Sequence, residues 1–349
     1  MSFESHDLGQ TFQKTLIVVG VIIGIAVFWL AREVFLLVFA GLLLGVLLDG
    51  LSGLVSKFSH LSRGWSLFIT IFTLAFLTVA VTNLLLPGII EQMKSLEVEL
   101  PASIERLRAY LRQYSWGSEV LEYFPSFREL AGESNALLRQ LTGAVSATVF
   151  IVLRMVLVLV IGIYSAVEPK LYRSGFLRLF APRHHERIER VLAAIHDRMW
   201  WWLVSIAGSM SSLAILTFIG LRILDLPLAL SLALLTGLLT FIPNFGSIIS
   251  AVPPVLIGLM ESPGKALAVI GMYVVIQFLE AHLVTPLIQR RTIRMPPVLG
   301  IGAQLTFGII FGFLGLLLAA PLMAGILAVV QSISNERVVM ETAPQANAT

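Results

Sequence analysis

One apolar run limits this chain more than any other feature. It extends from Pro227 to Met260 and is broken in its middle by Phe241-Ile242-Pro243-Asn244-Phe245-Gly246. Each half is about 15 residues, or roughly 22 Å of helix at 1.5 Å per residue. A hydrocarbon core is roughly 30 Å thick, so neither half crosses it. Non-helical backbone at that depth persists only where protein or a wet cavity covers its polar groups. The two halves therefore predict a re-entrant helical hairpin that enters and leaves on one face.

The rest of the chain sets this hairpin in a membrane. Charged residues make up 13% of the 349 residues and apolar residues 57%, against roughly 25% charged in soluble domains. Mean hydropathy is +0.90. Apolar runs predict full spans over Thr15–Ala31, Val34–Leu48, Trp65–Ile90, Ala147–Val167, Trp200–Leu224 and Ala266–Leu287. The first run is long for a signal-peptide core and no small-x-small site follows it, so it reads as a retained span. Arg32-Glu33 marks a tight turn between the first two spans, and Pro87-Gly88 is expected to bend or end the third. The pairs Gly20/Gly24 and Gly41/Gly45 have the spacing that lets helix backbones approach closely. Trp65 and Trp200-Trp201-Trp202 read as interfacial anchors.

A second interrupted run follows. Val298–Gln331 is too long for one ordinary span, and Gly308, Gly312 and Gly315 cluster at its middle. A second hairpin broken near Phe311–Leu314 is the economical reading, and paired interrupted segments point to a transporter's substrate site. The fold class is all-α: a polytopic integral membrane protein with about eight membrane segments, two of them re-entrant hairpins. Residues 1–90 hold the first three spans. Residues 91–145 form an extracytoplasmic helical hairpin with two apolar stripes, one of Leu96, Leu100, Ile104, Leu107, Leu111 and Tyr114 and one of Leu130, Leu137, Leu138, Leu141 and Val145. Residues 146–349 form the membrane transport region. Within it, 168–198 is a basic segment whose stripe Ile188, Val191, Leu192, Ile195 and Met199 reads as an interfacial helix beginning near Pro182. The basic loops 50–64, 168–198 and 288–297 fall on one side, which the positive-inside rule makes cytoplasmic. Both termini are then cytoplasmic, and the hairpins enter from opposite faces.

Several functions are excluded. There is no cysteine, so disulfides, thiolate metal sites and iron–sulfur clusters are out. His184, His185 and His196 lack a ligand spacing, so no metal site is expected. No phosphate-binding Gly-rich loop with Lys-Ser/Thr is present, and no hydrolase or metalloprotease motif. No cofactor and no enzymatic activity are expected. The net charge of +3 comes from short loops between spans and does not point to nucleic acid.

The candidate pathway residues are those whose polarity is out of place in lipid. Pro243, Asn244 and Gly246 form the first break, and Gly312 the second. Gln277 lies three residues before Glu280, on the same helix face, and Gln304 lies in the second interrupted run. An acid in a span, here Glu280, is costly when charged, which suits a proton or cation relay. Equally, Glu280 could sit at the inner end of its span, paired with Arg290, Arg291 or His282 as a structural lock. Arg154 reads chiefly as a paired or snorkelling charge.

Four motifs together resemble a known family: Leu86-Pro87-Gly88-Ile89-Ile90-Glu91-Gln92; Phe241 to Gly246; Gln277-Phe278-Leu279-Glu280 with Pro286-Leu287-Ile288; and Phe311-Gly312-Phe313-Leu314-Gly315 with Ala320-Pro321-Leu322. Their order is similar to that of the autoinducer-2 exporter-like transporters, over nearly the whole chain. The resemblance implies a bacterial inner-membrane transporter, a homo-oligomer, and either export of the furanone autoinducer-2 or sodium/proton antiport. This chain departs from the pattern at Ile206-Ala207, where many members carry Gly-Gln, and at His282, where a smaller amide is common.

The leading expectation is a secondary transporter that exports a small polar organic solute by alternating access, with substrate between the hairpin tips and the span carrying Glu280. The lipid bilayer, the solute and Na+ or H+ are its partners. One rival is cation/proton antiport through Glu280. Another is a non-transporting oligomeric scaffold that works through its outer helical hairpin.

Overall fold

The computed structural model describes residues 4–113, 144–243, 245–288 and 296–342. Among these residues every regular element is a helix. Helix α1 runs Glu4–Ser59 and α2 runs Arg63–Leu111. Helix α3 is Ala144–Val167 and α4 is Pro169–Leu177. A 3-10 turn at Pro182–His184 leads into α5, His185–Ile223. Helices α6 (Ala229–Leu239) and α7 (Phe245–Glu261) follow. Then come α8 (Pro263–Leu279), a π-helical turn at Glu280–Val284, α9 (Thr285–Ile288) and α10 (Pro297–Thr342). Five of the described helical stretches are long and apolar enough to cross a bilayer.

The turn expected at Arg32–Glu33 is helical, so the first two predicted spans are one rod. Its 56 residues make roughly 84 Å at 1.5 Å per residue. Leu, Val, Ile and Ala continue on both sides of the charged pair, and nothing there supplies a cap or breaker. Glu33 instead pairs with Arg154 of α3 at 2.5 Å, and the Arg32 guanidinium lies 4.3 Å from the Trp29 ring. Helix α2 likewise runs on past Pro87-Gly88 to Leu111. Of the two expected outcomes, a bend or an end, the end does not occur. Gly88 is used for packing: a Cβ there would lie 2.7 Å from the Ser231 hydroxyl, which donates to the Leu84 carbonyl at 3.2 Å. The second stripe of the predicted extramembrane hairpin falls mostly on 114–143, outside the described residues.

Helices α1 and α3 run parallel in register. Gly41 faces Ile161, Gly45 faces Ser165 and Gly162 faces Leu44, each pair too close for a Cβ on the glycine. The Gly41/Gly45 pair thus does what its spacing predicted, whereas a Cβ at Gly20 would meet open space. At one end of these helices Asp49 takes a 2.6 Å contact from Arg63 and lies 3.6 Å from His196 of α5. Arg63 also reaches the Ala166 carbonyl at 3.3 Å. An apolar cluster of Leu48, Leu67 and Ala166 lies beside this polar joint.

The basic segment also differs from its sequence reading. Its stripe does not lie on a separate interfacial helix; Ile195 and Met199 belong to α5 and pack with Leu36, Leu43, Leu318 and Ala324. The element that turns away from the span axis is α4, bent by 90° from the end of α3. Nor do all the tryptophans form a lipid-facing belt. The Trp200 ring occupies the space left by Gly50, and Trp202 stands edge-on to Phe241, with centroids 5.7 Å apart.

Candidate functional site

Both interrupted runs fold back on themselves. In the first hairpin, α6 and α7 are joined by a turn held by its own backbone. Ile242 N–H donates to Leu239 C=O at 3.0 Å and Gly246 N–H donates to Ile242 C=O at 2.9 Å. Gly246 is buried against the Leu239 carbonyl, where a Cβ would collide with backbone. In the second, Gly312 has φ 67° and ψ −151°, a conformation open in practice to glycine alone. The legs on either side then meet: a Cβ at Gly315 would strike the Phe307 carbonyl, and one at Gly308 would lie 3.7 Å from Leu316. In a straight helix residues eight apart would be roughly 12 Å apart, so Gly312 is the tip of a hairpin.

The first hairpin hangs from a tightly built entry. Helix α5 ends with Asp225 at φ 54°. Leu226 N–H bonds back to Leu221 C=O at 3.0 Å, and Leu224 N–H to Gly220 C=O at 3.0 Å. That is a left-handed helix stop with its usual apolar contact, here Leu226 beside Leu221 in one cluster with Ala229, Leu232, Ile257, Val269 and Tyr273.

Inside this hairpin runs a line of hydroxyls. Thr236, Thr240, Ser247 and Ser250 are all buried. Tyr273 of α8 is buried with them; its hydroxyl is 2.9 Å from the Thr236 hydroxyl and 3.3 Å from the Ser250 carbonyl. The Thr236 hydroxyl also lies 3.0 Å from the Leu232 carbonyl. Each hydroxyl has one hydrogen, so two hydrogens face three contacts. Proline decides between them. In α7 the Ser250 carbonyl would take the N–H of residue 254, and that residue is Pro254, buried within the helix. The Leu232 carbonyl keeps its ordinary helical donor. The Ser250 carbonyl therefore takes the Tyr273 hydrogen, while the Thr236 hydroxyl lies within bonding distance of both the Tyr273 oxygen and the Leu232 carbonyl.

Among the described residues a hydrogen bond joins the two hairpins. Gln304, 2% exposed, donates its side-chain amide to the Pro243 carbonyl at 2.9 Å. That carbonyl also accepts from Phe245 N–H at 2.8 Å. The tip of one interrupted segment is thereby joined to the ingoing leg of the other. Two residues flagged in the sequence are brought together here, Pro243 and Gln304; Gly246 supports the same tip and Gly312 shapes the other. Asn244 lies outside the described residues.

Gln277 and Glu280 stand four and seven residues beyond Tyr273, on the same face of α8. Both are half-buried. The Glu280 carboxylate accepts from the Thr285 hydroxyl at 2.8 Å across the π turn. His282 is exposed and does not form the lock with Glu280: its ring stacks on Phe278 at 4.2 Å between centroids, with Nδ1 2.9 Å from the Phe278 carbonyl. Arg290 and Arg291 lie outside the described residues. Arg154 is not at this site; it pairs with Glu33 on the outer side of the bundle. Tyr273, Thr236, Ser250 and Pro254 were missed in the sequence, although a Pro-Pro pair inside a hairpin leg signals a freed carbonyl in need of a donor.

A family model described as "AI-2E family transporter" matches residues 18–335. Two relatives from Bacillus subtilis (strain 168), YueF and YrrI, are each named "Putative transport protein". They are 36% identical over 107 residues and 35% identical over 109 residues. Each match covers 31% of this chain, and 29% of YueF or 31% of YrrI. The similarly named YhhT of Escherichia coli (strain K12) is 28% identical over 109 residues, 31% of each chain. The chain thus spans under a third of the length of these curated relatives in the matched stretch.

Proposed function

The chain belongs to the AI-2E family of transporters, and we propose that it exports a small polar organic solute by alternating access around its two hairpins. The observation that carries this is the bond between Gln304 and the Pro243 carbonyl. One neutral hydrogen bond contributes about 0.5–1.5 kcal/mol net, little enough to be broken and remade in each cycle. Each hairpin is locked internally by a glycine against a carbonyl, so each moves as a unit while the contact between them changes. Separation of the tips exposes an amide and a carbonyl, which a hydroxylated solute satisfies. Gln277 and Glu280 extend the polar face beyond the tips.

The basic segments assign the faces. The side holding Arg63, Lys170, Arg173, Arg178 and Arg198 is cytoplasmic by the positive-inside rule, in a bacterial inner membrane. The hairpins then enter from opposite sides, as the sequence predicts, and the C-terminal helix ends inside.

The test uses the absence of cysteine. A P243C/Q304C variant is reconstituted in vesicles loaded with the furanone autoinducer-2, and efflux is followed before and after oxidation. Efflux stops when the disulfide forms and returns on reduction; undiminished efflux from the cross-linked protein overturns the gating role.

The half-buried Glu280 carboxylate beside a π turn supports a second reading, cation/proton antiport, since π insertions recur at functional sites. Under it, Na+ flux driven by a pH gradient is present in the wild type and lost in Glu280→Gln. Vesicles that carry neither flux leave the scaffold role.

A further inference from the structure

Helix α4 is a short amphipathic element in an unusual place. It leaves the end of α3 at 90°, so it lies across the span axis. On a helical wheel Leu171, Tyr172, Phe176, Leu179 and Phe180 occupy one half, counting the turn that prolongs the helix; Lys170, Arg173, Ser174 and Arg178 occupy the other, with Leu177 between them packed into the protein. The apolar half is bare: Leu171 is 59% exposed and Leu179 77%. Leu177 is the one buried residue of α4.

The cations are placed differently from one another. Arg173 is tied to Glu189 at 3.7 Å. Lys170 and Arg178 pair with no acid among the described residues. Glu168 is the only acid between Val167 and Arg183. An element with an apolar half toward the bilayer and uncompensated cations at its edge matches an anionic lipid interface in both respects. Two features favour that occupant over a protein partner: the right-angle bend at the end of a membrane span, and charge complementarity without matching acids.

We propose that α4 and the turn to Phe180 bind the membrane surface through anionic phospholipid headgroups, with Lys170 and Arg178 as the phosphate contacts. This inference needs only the membrane placement of α3 and does not depend on which solute is carried.

The experiment is made on the full chain, which has no cysteine. A single L179C variant carries an environment-sensitive fluorophore. It is reconstituted in phosphatidylcholine vesicles, and in vesicles with one quarter phosphatidylglycerol, each with brominated acyl chains as quencher. Quenching is stronger in the anionic vesicles, and K170Q/R178Q in the same background removes that difference. Each cation removed is expected to weaken lipid association about fivefold. Inorganic phosphate added to the phosphatidylcholine sample leaves quenching unchanged, which separates a headgroup in the bilayer from a free phosphate. Equal quenching in both vesicles overturns the proposal. So does a lipid difference that survives K170Q/R178Q, or quenching induced by phosphate alone.

Discussion

The two hairpins perform the same topological task with different chemistry. The first is broken by a proline-containing turn, lined with hydroxyls, and carries Pro253-Pro254 within its return leg. The second breaks at one glycine whose backbone no other residue adopts easily. It packs apolar side chains, Phe311, Leu314, Leu318 and Leu322, against α1 and α5. In the first, Tyr273 supplies a donor to the Ser250 carbonyl that Pro254 leaves free. The second has a buried proline of its own, Pro321, and carries one buried amide, Gln304, aimed at its counterpart. A hairpin with many internal polar bonds has alternatives to exchange when it moves, whereas a smooth apolar one moves as a lever. Under the transport cycle proposed above, this contrast makes the first hairpin the candidate for recognition and the second the candidate for displacement.

The sharpest way to break this contrast is at the tips. Gly246→Ala forces a methyl into the Leu239 carbonyl and is expected to cost at least about 3 kcal/mol, read as lost folded protein in detergent. Gly312→Ala meets open space, so its cost is torsional alone, about 1–3 kcal/mol. If the second proves the more damaging, the tip of the apolar hairpin is not merely a backbone pivot.

Next comes the hydroxyl chain. Tyr273→Phe strips the Ser250 carbonyl of its donor in a buried site, a loss of about 2 kcal/mol in thermal stability. Pro254→Ala restores a helical N–H to that carbonyl. The double variant should therefore recover most of the loss in a double-mutant cycle; purely additive effects would show that the proline and the tyrosine are not compensating each other.

Smaller effects follow. Gln304→Leu leaves the Pro243 carbonyl with its Phe245 donor and should cost about 1 kcal/mol in stability, while changing efflux far more than unfolding. Arg154→Gln, outside both hairpins, removes an exposed pair and should shift stability by under about 1 kcal/mol. A thermal-unfolding series on these variants ranks them directly.

Much of this was legible from the chain. The two breaks, the tight packing at Gly41 and Gly45 and the pairing of Arg154 follow from spacing and from the cost of polar groups in lipid. Three features were not. The turn at Arg32–Glu33 fails because charges alone do not stop a helix when a partner such as Arg154 is supplied from a distant span. Pro87 does not end α2, which continues through it while Gly88 packs against Ser231. Tyr273 was overlooked because its role is created by Pro254, and neither residue looks polar or charged enough to be out of place alone. Gln304 could be flagged but not aimed, since direction within a hairpin depends on where the tip folds.

The parallel pairing of α1 with α3 has a consequence for biogenesis. Glu33 and Arg154 are 121 residues apart, so the glycine face of α1 enters the membrane well before its partner is made. At about 5–20 residues per second, the wait is roughly six to twenty-four seconds. During that interval the groove at Gly41 and Gly45 is open to lipid or to any other helix leaving the insertion machinery. Early assembly of this protein is thus a race between its own third helix and competing strangers.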